Sequence, residues 1–227
     1  MERETGTLTF EEWVEYVFAW PVGEPEWYMR QDERGQPLNW WKPEPVTIAT
    51  YLAELFENAA GLADRYSAYQ LNQGFWFVAG TPSGYFHIAR EASVPIELQQ
   101  RWVRAIHPLF RDLFQKVCSR HLSHLDPGLA NPLNSACYMF WDMDCLEGAA
   151  MFPGYEHLVD PIFEVLEQTL ALKSPACRES ALHGLGHLQQ YHPERVRRII
   201  DVFIRESRWT SPRLRLYARR ARTGTVQ

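Results

Sequence analysis

The chain has 227 residues, 46% of them apolar and 14% aromatic with nine tryptophans, so it is long enough to bury a sizeable core as one large domain or two small ones. Its formal net charge of −5 and pI near 5.9 argue against nucleic acid as a default partner, because phosphate neutralisation drives that affinity. No apolar run reaches the 18 residues of a membrane span, and the acidic start MERETGTLTFEEWVEY lacks the apolar core of a secretory signal, so a cytoplasmic location is expected.

Thr9 and Glu12 make a capping box around Phe10, Trp13, Val14 and Val17, which predicts a first helix over about 9–19. Residues 20–45 then break the pattern with five prolines, two glycines, four tryptophans and a tyrosine. A loop of that length within a domain is uncommon and often functional. Helix returns at about 46–60 through Ile48, Tyr51, Leu52, Leu55 and Phe56, and continues over 62–79. Around LNQGFWFVAG strand propensity competes, and helix is expected because every neighbour is helical. TPSG at 81–84 reads as a turn.

Ser93 and Pro95 open a helix that Pro108 should kink or break, with a second helix running on to about His124. Asp126-Pro127-Gly128 is a turn, and Pro132 starts a helix burying Leu133, Ala136, Cys137, Phe140 and Trp141. Gly148 to Gly154 reads as a loop, and 156–171 as a helix. Ser174 caps the next helix with Pro175 at its first position, and Pro193 opens the one after it. Gly184 and Gly186 each cost a helix about 1 kcal/mol, which suggests that another element approaches closely there. Ser211 and Pro212 open a last helix.

RESALHGLGHL looks like the second helix of a HEAT-type repeat, and PERVRRIIDVFI like the first helix of the next. The spacing of the Ala136-Cys137 and Ala176-Cys177 steps, 40 residues, is near the HEAT range of about 40–47. The resemblance is clearest over 174–204 and implies an all-α fold: a short, irregular, right-handed solenoid of HEAT-like helix pairs with a concave binding face. One domain over 1–227 is expected, with the aromatic loop at 20–45. The resemblance transfers no catalytic residue.

Residues 1–64 hold 13 acids against four bases, whereas 195–227 hold ten arginines against two acids. Either the two ends contact different partners or one another head to tail, or the arginines solvate a polar end cap and complement its helix dipoles. Cys118, Cys137, Cys145 and Cys177 fall in predicted helices rather than in a disulfide framework, which fits a reducing compartment.

Three constellations could carry chemistry. His183 and His187 stand four apart on one helical face, as metal ligands can, but no third ligand lies nearby beyond His192. Cys118, His121 and His124, with Asp126, could suit zinc, or could simply end a helix. Trp141, Asp142, Asp144 and Glu147 put carboxylates beside an aromatic group. We expect no cofactor and no metal from these patterns. The loop aromatics Trp20, Trp27, Tyr28, Trp40 and Trp41, with Trp141 and Asp142, are the candidate binding residues, because aromatic side chains dominate interface hot spots. The alternative is that the loop folds back and packs them on the helices.

These features lead us to expect a binding protein rather than an enzyme, holding a protein or peptide in a helical-repeat groove. One alternative is an enzyme or nucleic-acid-processing protein, since the chain resembles HEAT-like bacterial DNA glycosylases in length and helical content. Such a protein would place tryptophans and a carboxylate in a groove lined with cations. Another is an acidic antagonist of a basic partner, acting through its N-terminal region.

Overall fold

Thr9 opens helix α1 (Phe10–Phe18) with the expected reciprocal cap: its hydroxyl accepts from the Glu12 N–H, and Glu12 Oε2 accepts from the Thr9 N–H at 2.8 Å. The computed structural model describes residues 7–126, 128–144, 146–206 and 210–226; Pro127 and Cys145, both named above, lie outside them. The fold is all-α, and an isolated bridge between Gln31 and Pro37 is the only β pairing among the described residues.

The 20–45 loop folds back on α1 and on the later aromatic helices. It contains a 3₁₀ turn at Trp27–Met29, whose Trp27 is fully buried and lies 4.6 Å from Phe77 between ring centroids. Trp20 stacks on Trp27 at 5.2 Å and donates its indole N–H to Tyr16 O. Tyr28 stacks on Phe77, Trp40 meets Tyr16, and Trp41, 4% exposed, stacks on Tyr51. Buried aromatic rings cover about 150–250 Å² each, so this loop supplies much of the N-terminal core.

Helix α2 (Pro45–Glu57) is followed by a short α3 (Leu62–Arg65) and α4 (Ala68–Ala79). The expected single helix over 62–79 is split because Ser67 makes its own capping box with Gln70. Gly84, in the left-handed region at φ 65°, turns the chain into α5 (Tyr85–Ile88).

Helix α6 (Ile96–Leu109) runs through Pro108 instead of breaking there. It widens directly afterwards into a π turn at Phe110–Phe114 and ends with α7 (Gln115–Val117), short of the expected His124. A π turn after a proline is one way for a helix to absorb the lost hydrogen bond. Residues 118–126 leave the helix because side chains satisfy their backbone: Asn134 accepts from Ser119 N and donates to Ser119 O and His121 O.

Helix α8 (Leu133–Met139) precedes a 3₁₀ turn at Leu146–Ala150, where the sequence read as loop from Gly148. Then come α9 (Glu156–Leu170), α10 (Pro175–Leu188), α11 (Pro193–Glu206) and α12 (Pro212–Ala221). Neighbours in space form two successions, α2–α6–α9 and α4–α8–α10–α12, which meet where α10 packs on α9. None of the described helices is long and apolar enough to cross a membrane. The C-terminal arginines pair locally, Arg222 with Asp201 at 2.7 Å and Arg213 with Asp126 at 3.1 Å.

The two glycines of α10 are close-approach positions. A Cβ at Gly184 would lie 2.8 Å from Trp141 Cγ and 3.0 Å from Leu166 Cδ2, and one at Gly186 would strike Val226. Gly184→Ala gains about 1 kcal/mol of helix propensity and meets a fixed indole, for which overpacking costs about 1–3 kcal/mol. We predict a net loss of up to about 2 kcal/mol by urea unfolding. Gly61→Ala, with nothing within 4 Å of the new methyl group, is predicted to leave stability unchanged or raised.

Candidate functional site

Almost every residue of α10 is buried, including Glu179, His183 and Ser180. Glu179, His183 and His187 recur every fourth residue, so they share one face of the helix. Each is met by a different part of the chain.

Glu179, with no exposed surface, accepts the backbone N–H groups of Ser123 at 2.8 Å and His124 at 3.1 Å, and pairs with the His124 ring. One turn on, His183 Nδ1 is 2.8 Å from the Tyr217 hydroxyl of α12, which in turn is 3.1 Å from the Tyr138 hydroxyl of α8. One turn further, His187 Nδ1 lies 3.2 Å from Glu147 Oε1 and 3.7 Å from Asp142 Oδ1. His183 Nε2 is 4.0 Å from Asp142 Oδ2.

Asp142 reaches this face because Trp141 beside it is anchored. The turn after α8 closes with Asp142 N–H donating to Met139 O at 2.8 Å. The Trp141 indole fits against the bare Gly184 backbone and stacks on Phe110. The missing Cβ of Gly184 therefore sets the distance between Asp142 and the two histidines. Glu147 comes from the 3₁₀ turn and is 2% exposed.

Burial pulls the His183 imidazole down to about 3, with the neighbouring His187 and His124 acting the same way, so this ring is neutral. The hydrogen bond that His187 donates to Glu147 pushes its imidazole above the ordinary value; burial opposes that shift, and the Glu147 and Asp142 charges support it. Two buried atoms here have no hydrogen-bond partner within the chain: His183 Nε2 and Glu147 Oε2.

The cluster floors a cavity of about 870 Å³. Tyr138, Met139, Met151 and Phe152 wall it, the tail residues Thr223, Gly224 and Val226 close one side, and none of its lining residues is lysine or arginine. A second hollow of about 750 Å³ lies against α11, lined by Leu170, Arg178, Arg195, Arg198 and Phe203. None of its lining residues has a buried polar atom without a partner among those described, so nothing there asks for a ligand.

The expected site residues are thus dispersed. Trp20, Trp27, Tyr28, Trp40 and Trp41 belong to the N-terminal core; Trp40 and Trp41 also line a small hollow of about 260 Å³ with Lys42 and Glu44. Trp141 is fully buried and positions Asp142 rather than facing the cavity. Asp144 is turned toward His87 and Arg90, away from Asp142. Cys118, His121 and His124 do not converge: Cys118 faces Cys137, whose thiol is pushed up by burial and by its Cys118 and Cys177 neighbours, while His121 bonds Ser119 and His124 bonds Glu179. His192 bonds Ala150 O. The third donor that His183 and His187 lacked in the sequence is Asp142, far upstream in the chain. Tyr138, Tyr217 and Glu179 went unnoticed, although a polar residue at every fourth position of an otherwise Ala-, Leu- and Gly-rich helix was a readable signal.

No protein-family model, curated protein or solved structure matches this chain. The energetic weight of the buried face can be measured directly. Glu179→Ala leaves two backbone N–H groups and His124 without their acceptor in a dry site, and we predict a loss of about 3–5 kcal/mol in urea unfolding. Glu57→Ala removes an exposed pair with Arg101 and is predicted to cost less than about 1 kcal/mol.

Proposed function

We propose that this chain is a binding protein built on a HEAT-like helical-repeat frame, and that a peptide or protein segment seats in the cavity between α8, the 146–150 turn, α10 and the C-terminal tail. The observation that carries the reading is the cavity of about 870 Å³ with unpartnered, buried polar atoms in its floor and apolar walls. Ligand sites combine such walls with a few convergent polar groups. The two spatial successions of helices support the frame, since stacked helix pairs place each helix beside a counterpart from the next pair.

The composition of the cavity favours peptide over nucleic acid. It carries Asp142 and Glu147 and no lysine or arginine, so phosphate meets carboxylates there with neither of those cations to offset them. A glycosylase-like groove would need cations and an accessible tryptophan, and Trp141 is enclosed. The loop aromatics serve this function indirectly, by holding α1, α2 and α4 as the base on which the C-terminal helices stack.

Selection of a random peptide library on the purified chain tests the reading. We predict peptides that bind through the cavity, measured by fluorescence polarisation, with Met151→Arg weakening them at least about tenfold by filling the wall with a charge. Val202→Arg, in the hollow against α11, is predicted to leave binding unchanged. Failure to select any peptide, or selected peptides indifferent to Met151→Arg, contradicts it.

A further inference from the structure

We propose that Asp142, His183 and His187 form a site for a divalent transition-metal ion of the zinc class, opening onto the cavity. Their donor atoms all lie within 4.8 Å of one another. The individual separations are 3.7 Å from His187 Nδ1 to Asp142 Oδ1 and 4.0 Å from His183 Nε2 to Asp142 Oδ2. Tetrahedral bonds of about 2.0–2.2 Å put donors about 3.3–3.6 Å apart, so the two carboxylate–imidazole pairs need to close by less than about 1 Å and no donor pair by more than about 1.5 Å.

The surroundings are those a metal-bound imidazole uses. A ligating histidine commonly engages its other ring nitrogen in a hydrogen bond that fixes the ring. His183 does so: Nδ1 is held by Tyr217, itself held by Tyr138, and Nε2 is left without a hydrogen-bond partner toward Asp142. His183 is only 4% exposed, and a buried ring nitrogen with no partner is costly unless something supplies one. Glu147 Oε1 lies 3.2 Å from the same His187 Nδ1, so an ion there takes the place of the proton shared with Glu147, and the carboxylate, its second oxygen unpartnered, adds negative charge that no lysine or arginine of the cavity lining offsets.

The donor chemistry selects the class of ion. Two imidazoles with one carboxylate suit zinc and its first-row neighbours, whereas magnesium and calcium require mainly oxygen donors. Three protein donors leave a position that faces the cavity, where a donor group of a bound molecule completes the shell. The proposal does not depend on a peptide occupying the groove, since the three residues meet without one.

The test is calorimetric titration of untagged, chelator-stripped protein with zinc chloride, and with magnesium chloride for comparison. The expected result is one zinc per chain and no magnesium binding at the same concentrations. Asp142→Asn and His187→Gln are each expected to abolish stoichiometric binding. Tyr217→Phe, which frees the His183 ring, is expected to weaken it about 10–100-fold. His121→Gln, on the exposed segment away from the cavity, should bind as the unaltered chain does. Circular dichroism of the metal-free variants establishes that they fold; Asp142, the most exposed of the three, keeps the test decisive where a histidine variant fails to. No stoichiometric zinc, retention by both Asp142→Asn and His187→Gln, or loss in His121→Gln overturns the proposal. Peptide binding through the cavity without zinc would leave the peptide reading standing while removing this one.

Discussion

A helix buried along most of its length has little solvent in which to place a polar face, and α10 carries one. Glu179 and His183 stand buried in a row that ends at the half-buried His187 on the cavity, so each must find its partner from another part of the chain or bear the cost of an unsatisfied buried group. That requirement organises the C-terminal half. Glu179 draws in the 119–126 segment through backbone N–H groups, His183 ties α12 to α8 through two tyrosine hydroxyls, and His187 holds the 146–150 turn through Glu147. The bare backbone at Gly184 and Gly186 permits these approaches, since Trp141 and Val226 occupy the space where side chains would stand.

The two halves of the chain solve burial differently. The N-terminal half uses area: rings from the 20–45 loop interlock with Tyr16, Tyr51 and Phe77, and few hydrogen bonds between side chains are needed. The C-terminal half uses hydrogen bonds around α10 and leaves a cavity where the row ends. The tryptophans of the 20–45 loop pack in or against that core, and the candidate chemistry lies among residues of α8, the 146–150 turn and α10. An aromatic-rich segment can serve either end because ring packing and interface recognition draw on the same physical property, large area at low entropy cost.

The all-α class and most helix positions were legible because they rest on local signals: caps at Thr9, Ser174 and Ser211, prolines at first turns, and apolar residues at helical spacing. Even the strand-prone LNQGFWFVAG forms helix α4, where the Ser67–Gln70 capping box initiates it. The π turn after Pro108 was not legible, since whether a proline breaks or only widens a helix depends on its packing. The candidate site was half legible. His183 and His187 were visible as a pair, and Asp142 and Glu147 as a separate cluster, but their meeting depends on Trp141 seating against Gly184. Contacts across such sequence distances are a property of the packed chain and leave no local periodicity.

The C-terminal half depends on the burial of α10 with its inward polar row. Native-state hydrogen exchange of the backbone amides tests it most directly, because an enclosed helix can open only with the structure around it. The account predicts that amides from Glu179 to Leu188 exchange solely through global unfolding, with protection at least equal to that of α6. Exchange of those amides through a local opening, at a lower free energy than that of α6, would contradict it.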